Sequence, residues 1–215
     1  MPGGGRRAIV ADVSTVVARG ELVAIHGPSG AGKSALLRIV GGLDAPTSSS
    51  IVLDGEIVPV ATEADRIRLR VGRIGLVHPQ PLLLGDFTAL ENVTMPMLLT
   101  GVASRPARTR ASRLLEMVGA ADAASTMGRA LAPDVAQRVA TARALANEPL
   151  VLLADEPAAR LASNAAEAYF DLVRELNAGG QTILLATHDE RLALRAPRRI
   201  AMLDGAFVGD VDEAP

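Results

Sequence analysis

Gly27-Pro28-Ser29-Gly30-Ala31-Gly32-Lys33-Ser34 is the stretch on which the fold of this chain turns. It fits the spacing G-x-x-x-x-G-K-[ST], a loop whose backbone amides close around phosphate. The context matches the pattern. Leu22-Val23-Ala24-Ile25 is a short apolar run, the signature of a parallel strand buried on both faces. Lys33 to Val40 predicts a helix, and Gly41-Gly42 ends it with a residue free to turn left-handed. Strand, loop and helix together aim the helix's amides and positive dipole end at an anion. All eight residues of the loop are therefore candidate nucleotide contacts. Lys33 places a point charge at the β- and γ-phosphates, and Ser34 offers a hydroxyl to Mg²⁺. Of 22 lysines and arginines in the chain, Lys33 is the one lysine. A guanidinium is longer and planar, and does not fit a loop already wrapped around phosphate.

Outward from the loop, a second apolar run, Leu150 to Ala154, ends in Asp155-Glu156. Carboxylates at the C-terminal tip of a buried strand sit where open α/β sheets bind ligands. Asp155 is read as holding Mg²⁺ through water, and Glu156 as orienting and deprotonating an attacking water. His188 follows a predicted strand at Thr182 to Ala186 and is placed to bond a γ-phosphate or that water. His26 and His78 read as structural. Two Asp-Gly pairs predict hairpins, Asp54-Gly55 between Ile51–Leu53 and Glu56–Val58, and Asp204-Gly205 between Ile200–Leu203 and Ala206–Val208. A strand is predicted at Arg73 to Val77. Residues 88 to 147 read as mostly helical, with helices at Arg108 to Val118 and Val135 to Ala146, and a later one at Asn164 to Asn177. Gly3-Gly4-Gly5 reads as a flexible lead-in. The class is α/β: a parallel core interrupted by a helical insert and resumed.

Composition removes other functions. A net charge of −2 gives no footprint for wholesale nucleic-acid binding. Zero cysteines exclude disulfides, thiolate catalysis and Cys-based zinc sites. Aromatics at 2%, with no Trp, leave no base-stacking platform. No apolar stretch approaches the ~20 residues of a membrane span, and Met1 to Arg7 lacks a signal peptide's apolar core. At 49% hydrophobic the chain has ample material for a core.

On the motifs at 27–34, 150–157 and 187–189, with Gln137 to Pro149 (QRVATARALANEP), the chain resembles the ATP-binding-cassette (ABC) transporter ATPases. The separation of 122 residues between Lys33 and Asp155 also fits. Thr88 to Pro96 (TALENVTMP) looks most like the subgroup serving lipoprotein-release, macrolide-export and cell-division permeases. The resemblance implies one P-loop NTPase domain over 1–215. Residues 1–78 and 147–215 would form a RecA-like core with an antiparallel β subdomain, and 79–146 an inserted helical subdomain. It implies ATP and Mg²⁺ as ligands, a membrane permease and a second ATPase subunit as partners, and a place on the cytoplasmic face of the membrane. Permease contacts are expected near 80–100.

Several positions depart from that family's pattern. Its signature, usually LSGGQ, contacts the partner subunit's γ-phosphate through a serine hydroxyl and glycine amides. Here Leu131-Ala132-Pro133-Asp134-Val135 stands in its place. Ala132 has no hydroxyl, Pro133 no N–H, and Asp134 brings negative charge toward a negative ligand. Each lost charge-assisted hydrogen bond is worth roughly 1.5–3 kcal/mol. Ala162 replaces the acid usual in the loop after Glu156. By ungapped count from Gly75 the family's glutamine falls on Pro79, with Gln80 the alternative metal or water contact. No aromatic precedes the phosphate loop to stack on adenine. Groups acting within this subunit's own site are mostly kept and those acting on a partner's site are degraded. The expectation is an asymmetric pair with a different ATPase chain, and the alternative is a non-hydrolysing regulatory or scaffold subunit.

Overall fold

The computed structural model describes residues 9–48 and 50–212, so the Gly3-Gly4-Gly5 lead-in lies outside the described residues. Strand β1 (Leu22–His26) leads through the glycine loop into helix α1 (Lys33–Val40). Hairpin β2 (Ile51–Leu53) and β3 (Glu56–Val58) follows, then α2 (Glu63–Gly72) and β4 (Ile74–Val77). The middle of the chain holds α3 (Ala89–Leu99), α4 (Ser104–Met117), two short 3-10 turns and α5 (Pro133–Leu145). The last part runs β5 (Val151–Asp155), α6 (Ser163–Ala178), β6 (Thr182–Thr187), α7 (Glu190–Ala193), β7 (Arg198–Leu203) and β8 (Ala206–Asp212).

Six strands form one sheet in the order β4-β5-β6-β1-β7-β8, parallel except for β8 at the edge. Both faces are covered, which explains why β1, β5 and β6 read as unbroken apolar runs. Leu22, Ala24, Leu152, Ala154, Ile183 and Leu185 face a core shared with α3 to α6. Val23, Ile25, Leu153, Leu184 and Ala186 face the opposite way, against α1, α2 and the β2–β3 hairpin. β1 lies between β6 and β7, so the glycine loop and the ends of β5 and β6 open at one edge of the sheet.

Local chemistry sets the turns. Asp54 and Gly55 have φ of 55° and 79°, and Asp204 and Gly205 have 48° and 85°. Two consecutive left-handed residues make the hairpin turn that suits the strands' twist, and Asp-Gly is the pair that tolerates it. Helix α3 starts with a capping box: Thr88 Oγ1 accepts from the Glu91 N–H, and Glu91 accepts from the Thr88 N–H. Thr62 and Asp65 build the same box at α2.

The boundaries shift in places. The helix predicted from Arg108 begins at Ser104, because its first turn carries arginines and Pro106 rather than apolar residues. Helix α2 lies where no helix is predicted.

Candidate functional site

The loop from Gly27 to Gly32 closes tightly. Gly27 has φ 150°, and a Cβ there would lie 2.1 Å from the Met202 carbonyl oxygen, so only glycine fits. Lys33 is 4% exposed. Its Nζ donates to the carbonyls of Gly27 at 2.7 Å and Pro28 at 3.1 Å, and lies 3.5 Å from Glu156 Oε1. The ammonium is thus held across its own loop, aimed at whatever anion the amides enclose. Ser34 follows on the first turn of α1, and its hydroxyl donates to Asp155 Oδ1 at 2.7 Å.

Asp155 ends β5 and Glu156 turns away from it with a left-handed φ of 45°, fixed by its N–H bonding the Ala186 carbonyl at 2.9 Å. That turn sends the two carboxylates in different directions. Asp155 points to Ser34, while Glu156 bridges Lys33 and His188, whose Nδ1 lies 2.8 Å from Glu156 Oε2. Burial pushes the Asp155 carboxyl above its ordinary value, and the Ser34 hydroxyl partly offsets it. Lys33, Ser34, Asp155, Glu156 and His188, spread over 156 positions of sequence, therefore meet at one edge of the sheet.

Hard oxygens in this set suit Mg²⁺. Ser34 Oγ and Asp155 Oδ1 are neighbours, and no group of three or more His, Cys, Asp or Glu among the described residues is arranged to hold a metal. A hydroxyl ligand, a carboxylate reaching the ion through water, and phosphate oxygens fit the way Mg²⁺ binds, since it keeps several of its waters.

Gln80 is not joined to this set. It is exposed, and lines a groove of about 580 Å³ with Pro79, Pro133, Gln137 and Arg160. Helix α5 pins this loop from behind. Gln137 Nε2 donates to the His78 carbonyl at 2.9 Å, and Arg143 donates to the carbonyls of Leu82 at 2.7 Å and Pro81 at 2.8 Å. Leu82 takes φ 47°, a strained value for its side chain. These anchors go unread in the sequence, where Gln137 and Arg143 look like ordinary polar positions on an alanine-rich helix. His78, read as structural, sits half-buried beside the site. Burial lowers its pKa, and the nearby Asp155 carboxylate opposes that shift.

At the other end of α5, Ala132 is the N-cap with no side-chain cap bond, Pro133 is the first helical residue and Asp134 lies in the first turn. All three are exposed. Ala162 is the uncapped N-cap of α6.

The ABC transporter family profile matches residues 10–159. The chain belongs to the ABC transporter family. It is 46% identical over 207 residues to the lipoprotein-releasing system ATP-binding protein LolD 1 of Chlorobium chlorochromatii (strain CaD3), covering 95% of this chain and 84% of that one. It is 41% identical over 203 residues to LolD of Aquifex aeolicus (strain VF5), covering 94% and 91%. Among solved structures, the dimeric ATP-binding cassette MJ0796 in a post-hydrolysis state, bound to ADP and Pi, superposes with a TM-score of 0.86 at 33% identity, covering 96% of this chain and 91% of that chain. The chain is thus an ATP-binding subunit of an ABC transporter, an ATPase whose ligands are ATP and Mg²⁺. Its fold is that of a P-loop NTPase. Among the described residues no helix is long and apolar enough to cross a membrane.

Proposed function

We propose that this subunit drives a membrane permease of the lipoprotein-release type from the cytoplasmic face, as one half of an asymmetric pair. The observation that carries the pairing is the contrast between the two ends of the machinery. Ser34 donates to Asp155, and Glu156 lies within ion-pair reach of Lys33 and hydrogen-bond reach of His188, so the five residues form two adjoining contact sets. The exposed start of α5 offers a partner's nucleotide no hydroxyl at Ala132, no N–H at Pro133 and a carboxylate at Asp134.

In this reading Gly27 to Gly32 enclose the β-phosphate, and Lys33 neutralises charge on the β- and γ-phosphates. Ser34, and Asp155 through water, would hold Mg²⁺, which would supply positive charge beside the phosphate oxygens. Glu156 orients the attacking water and takes its proton, and His188 fixes the Glu156 carboxylate and faces the γ-phosphate. Residues 1–78 and 147–215 act as the core and 79–146 as the helical subdomain. Neither nucleic acid nor a metal beyond Mg²⁺ is needed.

A different ATPase chain with an intact signature completes this subunit's site, and the reciprocal site is weak. The test is steady-state ATP hydrolysis by the chain alone and mixed with a signature-intact cassette. The pairing predicts low turnover alone and a rise on mixing that Glu156→Gln in this chain removes. Strong turnover by the chain alone, lost in Glu156→Gln, sinks the asymmetric pair. The weak start of α5 also favours a second reading, a regulatory subunit that binds ATP without turnover. Nucleotide binding with no phosphate release in any mixture selects it.

A further inference from the structure

The sheet brings one more side chain to the metal's edge of the site. β4 and β5 run parallel in register from Ile74 beside Val151 to Val77 beside Ala154. Continued one step past the paired residues, the same register would set His78 beside Asp155, whose carboxylate does act on the imidazole. Side chains at matched positions of a parallel pair share a face of the sheet. Core membership shows the alternation. Leu76 and Leu153 pack on the α1 side, while Val77 and Ala154 pack on the opposite side. The next pair returns to the α1 side, where Asp155 meets Ser34.

His78 is held there from several directions. Val77 before it is 2% exposed. Its own carbonyl accepts from Gln137, which is 1% exposed. The charges that reach the imidazole are the Asp155 carboxylate in its favour, with Arg143 on α5 and Arg38 on α1 against a positive ring. Neither ring nitrogen has a hydrogen-bond partner among the described residues. The two residues after it do not substitute, since Pro79 has no polar side-chain atom and Gln80 is exposed in the groove.

We propose that the His78 imidazole faces the water shell of the nucleotide-bound Mg²⁺ and orients one of its waters. The inference rests on reading Ser34, and Asp155 through water, as the residues that hold the metal. His78 is a positioning residue: it acts through a metal-bound water, not on the phosphate. Outer partners of this kind set metal affinity as well as rate.

The experiment is a calorimetric titration of Mg²⁺ into the full-length chain saturated with ADP, alongside ADP titrations in EDTA and thermal melts. His78→Ala should weaken Mg²⁺ binding by about 10- to 100-fold, the usual range for an outer-shell partner. Metal-free ADP affinity and the melting temperature should stay unchanged. His78→Gln, which still hydrogen-bonds water, should recover most of the loss. Unaltered Mg²⁺ affinity in His78→Ala overturns the inference. So does an equal loss of metal-free ADP affinity, which marks a residue that only supports the fold. Ser34→Ala and Asp155→Asn separate the two levels. If they weaken Mg²⁺ binding and His78→Ala does not, the inference alone falls. If they leave it intact, the reading of the metal site falls, and the inference with it.

Discussion

Replacing Ala132 by serine separates what the start of α5 does for the fold from what it does for the nucleotide. Ala132 has φ −61° and ψ 149°, the extended geometry in which a hydroxyl reaches the second or third helical N–H. No side chain caps this end, and Pro133 has no N–H, so the N–H groups of Asp134 and Val135 are the donors a serine would serve. The site is exposed, so an added oxygen meets no clash. A cap of this kind is worth about 1 kcal/mol (range roughly 0.5–2). In a chain of this size that raises the melting temperature by about 2–4 °C, readable by circular dichroism. The same variant should not restore self-sufficient hydrolysis, because in the proposed pairing the Asp134 carboxylate still faces the partner's phosphates. Adding Pro133→Gly and Asp134→Gly removes that charge and supplies backbone N–H groups. It also loosens the helix start, at roughly 0.4–1 kcal/mol for the proline and 0.3–1 kcal/mol for the charge at the dipole. The triple variant should therefore hydrolyse ATP alone at a raised rate with no net gain in stability. A rise in hydrolysis from Ala132→Ser by itself refutes the charge argument. No rise in a folded triple variant refutes the assignment of this stretch to the γ-phosphate.

Asp155→Asn should stabilise the protein while weakening the metal site. Burial raises the Asp155 carboxyl pKa in the folded chain, so its protonated form is favoured there. Stability linked to this group is full below the ordinary carboxyl value of 3.8 and is lost as pH rises through the raised one. At neutral pH the amide lifts that penalty and still accepts from Ser34. Melts should show a higher melting temperature for Asp155→Asn at pH 7 and a smaller difference toward acid. Mg²⁺ affinity should drop by about 10- to 150-fold, the equivalent of losing one hydrogen bond to a charged group at roughly 1.5–3 kcal/mol. Gly27→Ala should abolish binding of a fluorescent ATP analogue and lower the melting temperature, because the new Cβ has to displace the Met202 carbonyl.

Features that depend on neighbouring residues were the legible ones. The glycine loop, the Asp-Gly hairpins and the buried strands each carry their cause within a few positions. Helix α2 shows the opposite case. Ile67, Leu69 and Val71 alternate like a strand, yet only Leu69 is buried, and Ile67 and Val71 are each 45% exposed. What makes it a helix is the Thr62–Asp65 capping box and the Glu63 carboxylate bridging Arg66 and Arg70. The site divides along similar lines. Lys33, Asp155 and His188 stand beside strands and loops with recognisable spacing. His78 does not, because its position depends on the register of β4 against β5, a relation between segments more than 70 residues apart. The anchors Gln137 and Arg143 escape for the same reason: each bonds backbone about 60 residues away.

In the proposed pairing this chain binds ATP well and clamps it poorly for a second copy of itself. Sedimentation velocity of Glu156→Gln with saturating ATP and Mg²⁺ tests this most directly, since blocking hydrolysis preserves any nucleotide-bridged dimer. The expected species is an ATP-loaded monomer that dimerises only when a cassette with an intact signature is added. A stable ATP-dependent homodimer of this chain alone would contradict it.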